Sequence, residues 1–184
     1  MPIRLSHDAP DFEAAFTDLF SQKREADEDV DQIVAGIIAD VRARGAEAVC
    51  ELTSKFDRLD LTPDTLAFTS EEIEQAAAQV LAEDRAALEL AAARIRAYHE
   101  RQVPEDASWT DETGAQLGWR WTPVSAAGLY VPGGLASYPS SVLMHASPAQ
   151  VAGVERGGSA VPTPDGVTNP LVLLAAQIAG VDTI

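Results

Sequence analysis

Cysteine is almost absent: the 184-residue chain carries only Cys50, so no internal disulfide forms, and no CxxC or Cys/His cluster has the spacing of a zinc site. Basic residues are scarce as well. Thirteen Lys and Arg face 29 Asp and Glu, a formal charge of −16. A phosphate surface repels such a polyanion at long range, which argues against nucleic acid or an anionic membrane as the main partner. Long apolar runs are missing too. The longest aliphatic stretch, 171–176, falls far short of the roughly 20 residues that span a bilayer, and 1–20 lacks a basic-then-apolar leader. The expectation is a cytoplasmic protein without signal peptide or membrane helix. What remains is ordinary globular composition, 46% hydrophobic and 6% aromatic, enough for one domain or two small ones.

Charge divides the chain. Residues 1–115 hold 26 acidic and 11 basic residues, whereas 116–184 hold 3 and 2 and are apolar and rich in Gly and Pro. Val30, Ile33, Val34, Ile37, Ile38 and Val41 recur with helical period, and Gly45 reads as a stop. A second helix is expected over about 46–56, with Val49, Leu52 and Phe56 inward. Residues 57–69 read as loop and short strand. Thr69 and Glu72 have capping-box spacing, and Leu88, Ala91, Ala92 and Ile95 continue the period in a long charged helix ending near Gln102. After a polar connector, 103–116, the pattern becomes strand-like. Residues 117–124 alternate with Trp119 and Trp121 on one side, and 127–131 form a strand running into Pro132, Gly133 and Gly134. Ser137 to Pro139 can cap and open a helix carrying Val142, Leu143, Ala146 and Val151. Asn169 and Pro170 open a last helix closed by Gly180, and 181–184 begin another strand. The fold class expected is α/β, with a mostly helical segment over 1–124 and a partial, Rossmann-like parallel βαβ domain over 125–184.

The stretch most suggestive of chemistry is Gly128 to Met144, GLYVPGGLASYPSSVLM. Paired glycines after a strand let backbone approach a ligand closely, and free N–H groups at the next helix start attract an anion. A plain βα turn explains the same residues. The dinucleotide fingerprint GxGxxG is absent, because Gly133 and Gly134 are adjacent and no third glycine follows at the required distance. His7, His99 and His145 show no ligand spacing, so a solvated or capped state is expected of each. The acidic runs 27–31 and 71–74 sit near helix starts, where the dipole favours them. Cys50 lies between apolar neighbours and reads as a buried, inert thiol.

This stretch resembles the corresponding part of histidinol dehydrogenases. The likeness continues through 148–154 (PAQVAGV), 161–166 (VPTPDG) and 169–182 (NPLVLLAAQIAGVD), and the helical front half has the layout expected of that family. The resemblance implies a zinc-containing, homodimeric oxidoreductase of histidine biosynthesis. Such an enzyme oxidises the small-molecule substrate L-histidinol through the aldehyde to L-histidine, with two hydride transfers to NAD. Carried over by residue, Tyr130 matches the family's NAD-contacting tyrosine, and Pro132 and Gly133 line the same cofactor edge. The family's zinc ligands, its Glu-His acid/base pair and its other NAD contacts match nothing within this chain. No catalytic and no metal residue is therefore assigned, and the chain by itself is expected to be inactive. A relative oxidising another small alcohol, such as a sulfonated diol, and a non-catalytic assembly fragment are the alternatives.

One departure from the family stands out. Where it predicts a run of branched aliphatic residues, this chain reads Gly157-Gly-Ser-Ala160, the composition of a linker. A full strand is not expected there, since glycine gives up packing and costs backbone entropy. A truncated or engineered piece of the enzyme and a natural loop variant both account for it.

Overall fold

The computed structural model describes residues 4–133 and 138–184, with residues 22–29 described by their backbone alone. Gly134 and the expected cap Ser137 lie outside the described residues, as do the side chains of Asp27 to Asp29. The chain divides into two compact units, Met1–Glu51 and Leu52–Ile184.

The first unit is dominated by α1 (Phe12–Arg44), which contains the periodic stretch read from sequence. Gly45 ends it at φ 63°, a conformation glycine adopts without steric cost, and its N–H donates to the Val41 carbonyl at 2.8 Å. Arg44 forks onto Asp40 at 2.7 Å and onto Glu51 at 2.8 Å, closing the corner where α2 (Ala46–Asp57) begins. The expected inward face of α2 is only half right. Val49 and Leu52 are half-buried, but Phe56 is exposed and lies under the Lys55 ammonium, 5.0 Å from its ring centroid.

In the second unit the capping box forms as expected. Thr69 accepts from the Glu72 N–H at 3.2 Å, and the Glu72 carboxylate accepts from the Thr69 N–H at 2.7 Å. Those hydrogen bonds hold the Glu72 carboxyl below its ordinary pKa. The helix it starts is not the long one expected. α3 (Ser70–Ala78) stops, and α4 (Ala82–Glu100) starts anew with Glu83 and Asp84 in its first turn. Leu81, extended at ψ 145°, makes the break, and the Ala77 carbonyl beside it accepts from the Val80 N–H at 3.3 Å and from the Arg85 guanidinium at 3.0 Å. The strand expected within 57–69 is instead a short 3-10 turn, Pro63–Thr65.

The polar connector contains a strand. β1 (Ala107–Thr110) pairs antiparallel with β2 (Gln116–Trp119). Asp111 closes the hairpin by accepting from the N–H groups of Thr113 and Ala115, at 2.8 and 3.0 Å. Gly114 supplies the positive φ the turn requires. Trp109 and Trp119 meet edge to face at 5.2 Å across the pair.

The remaining elements form the α/β layer. β3 (Ala126–Tyr130) pairs in parallel with β4 (Arg156–Ala160), from Ala126 opposite Arg156 to Tyr130 opposite Ala160. A bridge from Gly158 to Thr183 adds a third parallel position. α5 (Pro139–Val151) and α6 (Pro170–Ile178) cover one face, with Val142, Leu143, Ala146, Leu173 and Ala176 buried in a single core beside Val131 and Ile184. Ile73 and Ala76 from α3, and Leu88, Ala91, Ala92 and Ile95 from α4, pack on it. Leu129 joins that core, whereas Gly128 and Tyr130 alternate onto the exposed face.

β4 corrects the reading of Gly157 to Ala160 as a linker. The strand is bonded from both sides. Val131 N–H donates to Ala160 and Ser159 N–H to Thr183, while Gly157 donates to the Asp182 carboxylate at 2.8 Å and accepts from its N–H at 3.1 Å. A filled ladder offsets the backbone entropy of two glycines, and composition alone does not register it. A Cβ at Gly157 would meet nothing within 4 Å. Gly157→Ala is therefore expected to raise stability by about 0.5–1 kcal/mol, read as a later urea midpoint. A lower midpoint would mean that β4 needs the glycine.

Candidate functional site

Parallel strands leave their carboxyl ends open to a ligand where the following loops diverge, and a cleft of the second unit lies there. Pro132 and Gly133 follow β3, Pro162 and Thr163 follow β4, and Asn169 and Pro170 open α6. Together they line a space of about 710 Å³. That is the size of an ordinary small-molecule or cofactor site. Gly133 sets its width, because a Cβ there would lie 2.5 Å from the Pro162 carbonyl oxygen. At the head of α6 the Asn169 side chain accepts from the Leu171 N–H at 2.9 Å, so the helix start is already capped.

One charged pair stands at the cleft. Arg58, just beyond α2, donates two parallel hydrogen bonds of 2.6 Å to Asp165 in the loop after β4. The bonded guanidinium holds the Asp165 carboxyl below its ordinary pKa, and the carboxylate in turn raises that of Arg58. The pair's contribution is thus fully present above the ordinary carboxylate pKa and is lost only as pH falls through the lowered value. Sequence reasoning missed it, since 107 residues separate the partners and no local pattern links them.

Pro132 and Gly133, the two loop residues expected at a cofactor edge, line this cleft. Tyr130 does not. It ends β3 with 62% of its surface exposed, on the open face of the sheet beside Gly128, Gly158 and Thr183. The Ser159 hydroxyl, on the covered face opposite Leu129, is buried and has no hydrogen-bond partner among the described residues. Cys50 is half-buried rather than fully buried. His7 contacts Asp8 at 3.2 Å and His99 contacts Gln102 at 2.7 Å. Among the described residues no three His, Cys, Asp or Glu side chains gather where they could hold a metal ion, so these residues do not fit zinc. No described helix is long and apolar enough to cross a membrane.

The sequence profile of histidinol dehydrogenase matches residues 20–184. The chain belongs to the histidinol dehydrogenase family. A histidinol dehydrogenase of Ruegeria pomeroyi is 71% identical over 184 residues, covering 100% of this chain and 42% of the relative. One of Cereibacter sphaeroides is 68% identical over the same span and share. The crystal structure of histidinol dehydrogenase from Elizabethkingia anophelis superposes with a TM-score of 0.77 at 31% identity, covering 83% of this chain and 35% of that one. The chain therefore spans less than half the length of the curated relatives it matches. It is a member of an oxidoreductase family, and its α/β layer is the fold shared with that structure.

Proposed function

We propose that this chain is the cofactor-side portion of an NAD-dependent oxidoreductase that converts L-histidinol to L-histidine, and that it binds NAD without turning over substrate alone. The observation that carries this reading is the cleft beyond the carboxyl ends of β3 and β4, with Gly133 close against the Pro162 carbonyl. Family membership supports the substrate class, and the cofactor is the one that the resemblance implies. When bound, NAD accepts the hydride that leaves the alcohol carbon. The chain's own residues bind and orient. Gly133 leaves backbone bare for close approach, Pro132 stiffens the strand exit, and the exposed Tyr130 ring offers an aromatic face at the adjoining edge. The zinc of a complete enzyme would be held elsewhere in the polypeptide, as would the groups that move protons, and the enzyme is proposed to act as a cytoplasmic homodimer.

Calorimetric titration with NAD tests the cofactor assignment. Wild type is expected to bind. Tyr130→Ala is expected to bind about fivefold more weakly, and Tyr130→Phe to keep most of the affinity because the ring remains. An equal loss in both variants would mean that the ring face is not the contact. Turnover of L-histidinol with NAD and zinc is expected from this chain only when it is mixed with the remaining portion of a family-length polypeptide. Turnover by the chain alone would overturn the placement of the chemistry outside it.

A further inference from the structure

Arg58 and Asp165 share an unusual backbone state. Each has a left-handed φ, 56° and 58°, and they are the only non-glycine residues with positive φ among those described. A side chain with a Cβ rarely adopts that conformation, and arginine has no short polar group to support it locally. Two such residues, distant in sequence, meet in a forked ion pair at one cleft. Strained positions persist where surrounding contacts over-determine them, and they gather at ligand clamps.

At the start of the loop they join, Val161 packs on the core and Thr163 is buried, but its middle, Asp165 to Val167, is exposed. Between β4 and α6 its own bonds are two local turns, Gly166 N–H to Thr163 at 2.9 Å and Val167 N–H to Pro164 at 3.1 Å. On the side of Arg58, a Cβ at Gly166 would meet the Leu59 methyl at 3.4 Å. At its start, the Pro162 carbonyl forms the wall facing Gly133. Exposed ion pairs usually contribute little, but a guanidinium held by two parallel bonds is the geometry in which such a pair does fix orientation.

We propose that Arg58 and Asp165 form a clasp that holds residues 162–169 in the shape the cleft needs to accept a dinucleotide, which makes both of them positioning residues. The proposal rests on the cofactor reading above. It goes further in assigning a loop-holding role to two residues outside the glycine-turn segment.

Four variants test it: Arg58→Gly, Arg58→Lys, Asp165→Asn, and the exchange Arg58→Asp with Asp165→Arg. Glycine keeps the left-handed backbone without strain, so it removes the guanidinium while sparing the fold. Amide hydrogen exchange at Gly166 and Val167, NAD titration and thermal melting are read on each. Arg58→Gly and Asp165→Asn are expected to exchange faster at both amides and to bind NAD more weakly, about tenfold if the loop keeps its shape a tenth of the time. Their melting temperature should stay at the wild-type value. Lysine, a point charge that cannot fork, should behave like glycine, and the exchanged pair should recover protection and affinity. Unchanged exchange in Arg58→Gly overturns the clasp whatever NAD does. A fall in melting temperature matching the loss of binding also overturns it, because the role is then merely structural. Wild type that fails to bind NAD defeats the cofactor reading instead, and the exchange arm still decides whether the clasp holds the loop.

Discussion

Leu143→Ala should lower the unfolding free energy of the Leu52–Ile184 unit by about 3 kcal/mol, a large part of what a domain of this size has. Leu143 is fully buried on α5, the helix that lies against the sheet, α4 and α6 alike. Removing its side chain leaves a cavity where those elements meet, and a helix pinned on three sides cannot move in to fill it. The next residue supplies the control. Met144 is 60% exposed, so Met144→Ala should change stability by no more than about 0.5 kcal/mol. Urea unfolding compares the two, with a shifted midpoint and an unchanged slope expected for Leu143→Ala. Equal effects would mean that α5 does not present the face described.

Gly133→Ala is the second large effect. The added Cβ would lie 2.5 Å from the Pro162 carbonyl oxygen and 3.3 Å from the Pro162 carbonyl carbon and side chain. The first obstacle is backbone, so no rotamer change relieves it, and the loops leaving β3 and β4 must separate. Such overpacking costs about 1–3 kcal/mol. Because the same two loops wall the cleft, NAD affinity should fall with stability. Gly128→Ala is the comparison, on the exposed sheet face with nothing within 4 Å of its Cβ, and it should leave NAD affinity nearly unchanged while raising stability slightly, as expected of Gly157→Ala. Thermal melting and NAD titration on the pair give the answer. A silent Gly133→Ala would show that the two loops are not held against each other.

Where a residue's local chemistry settles its conformation, the sequence was legible. Thr69 and Glu72 cap α3, Gly45 ends α1, and Asn169 with Pro170 opens α6, each through bonds reaching four residues or fewer. β3 was readable because a short apolar run met a proline-glycine exit. The hairpin strand β1 was hidden by its polar composition, although Asp111 and Gly114 carried the turn signal. The break at Leu81 was hidden by a hydrophobic period that α3 and α4 share, since both lay their apolar residues on one core.

The cleft divides in the same way. Pro132 and Gly133 could be singled out because a glycine turn after a strand is a local pattern. The wall opposite them could not, since Pro162 arrives from another strand and Asp165 is fixed by an arginine far away in the chain. β4 is the sharpest case. Its two glycines have no intrinsic preference for a strand, and it exists because β3 on one side and Asp182 and Thr183 on the other take up its backbone hydrogen bonds. The sequence alone thus determined where most of the helices lie, the caps at Thr69 and Asn169 and the family resemblance, all of which rest on short-range bonding or side-chain pattern. Only the tertiary structure decided which backbone groups became a strand and which loops became a cleft, because those outcomes depend on partners that the chain brings together from a distance.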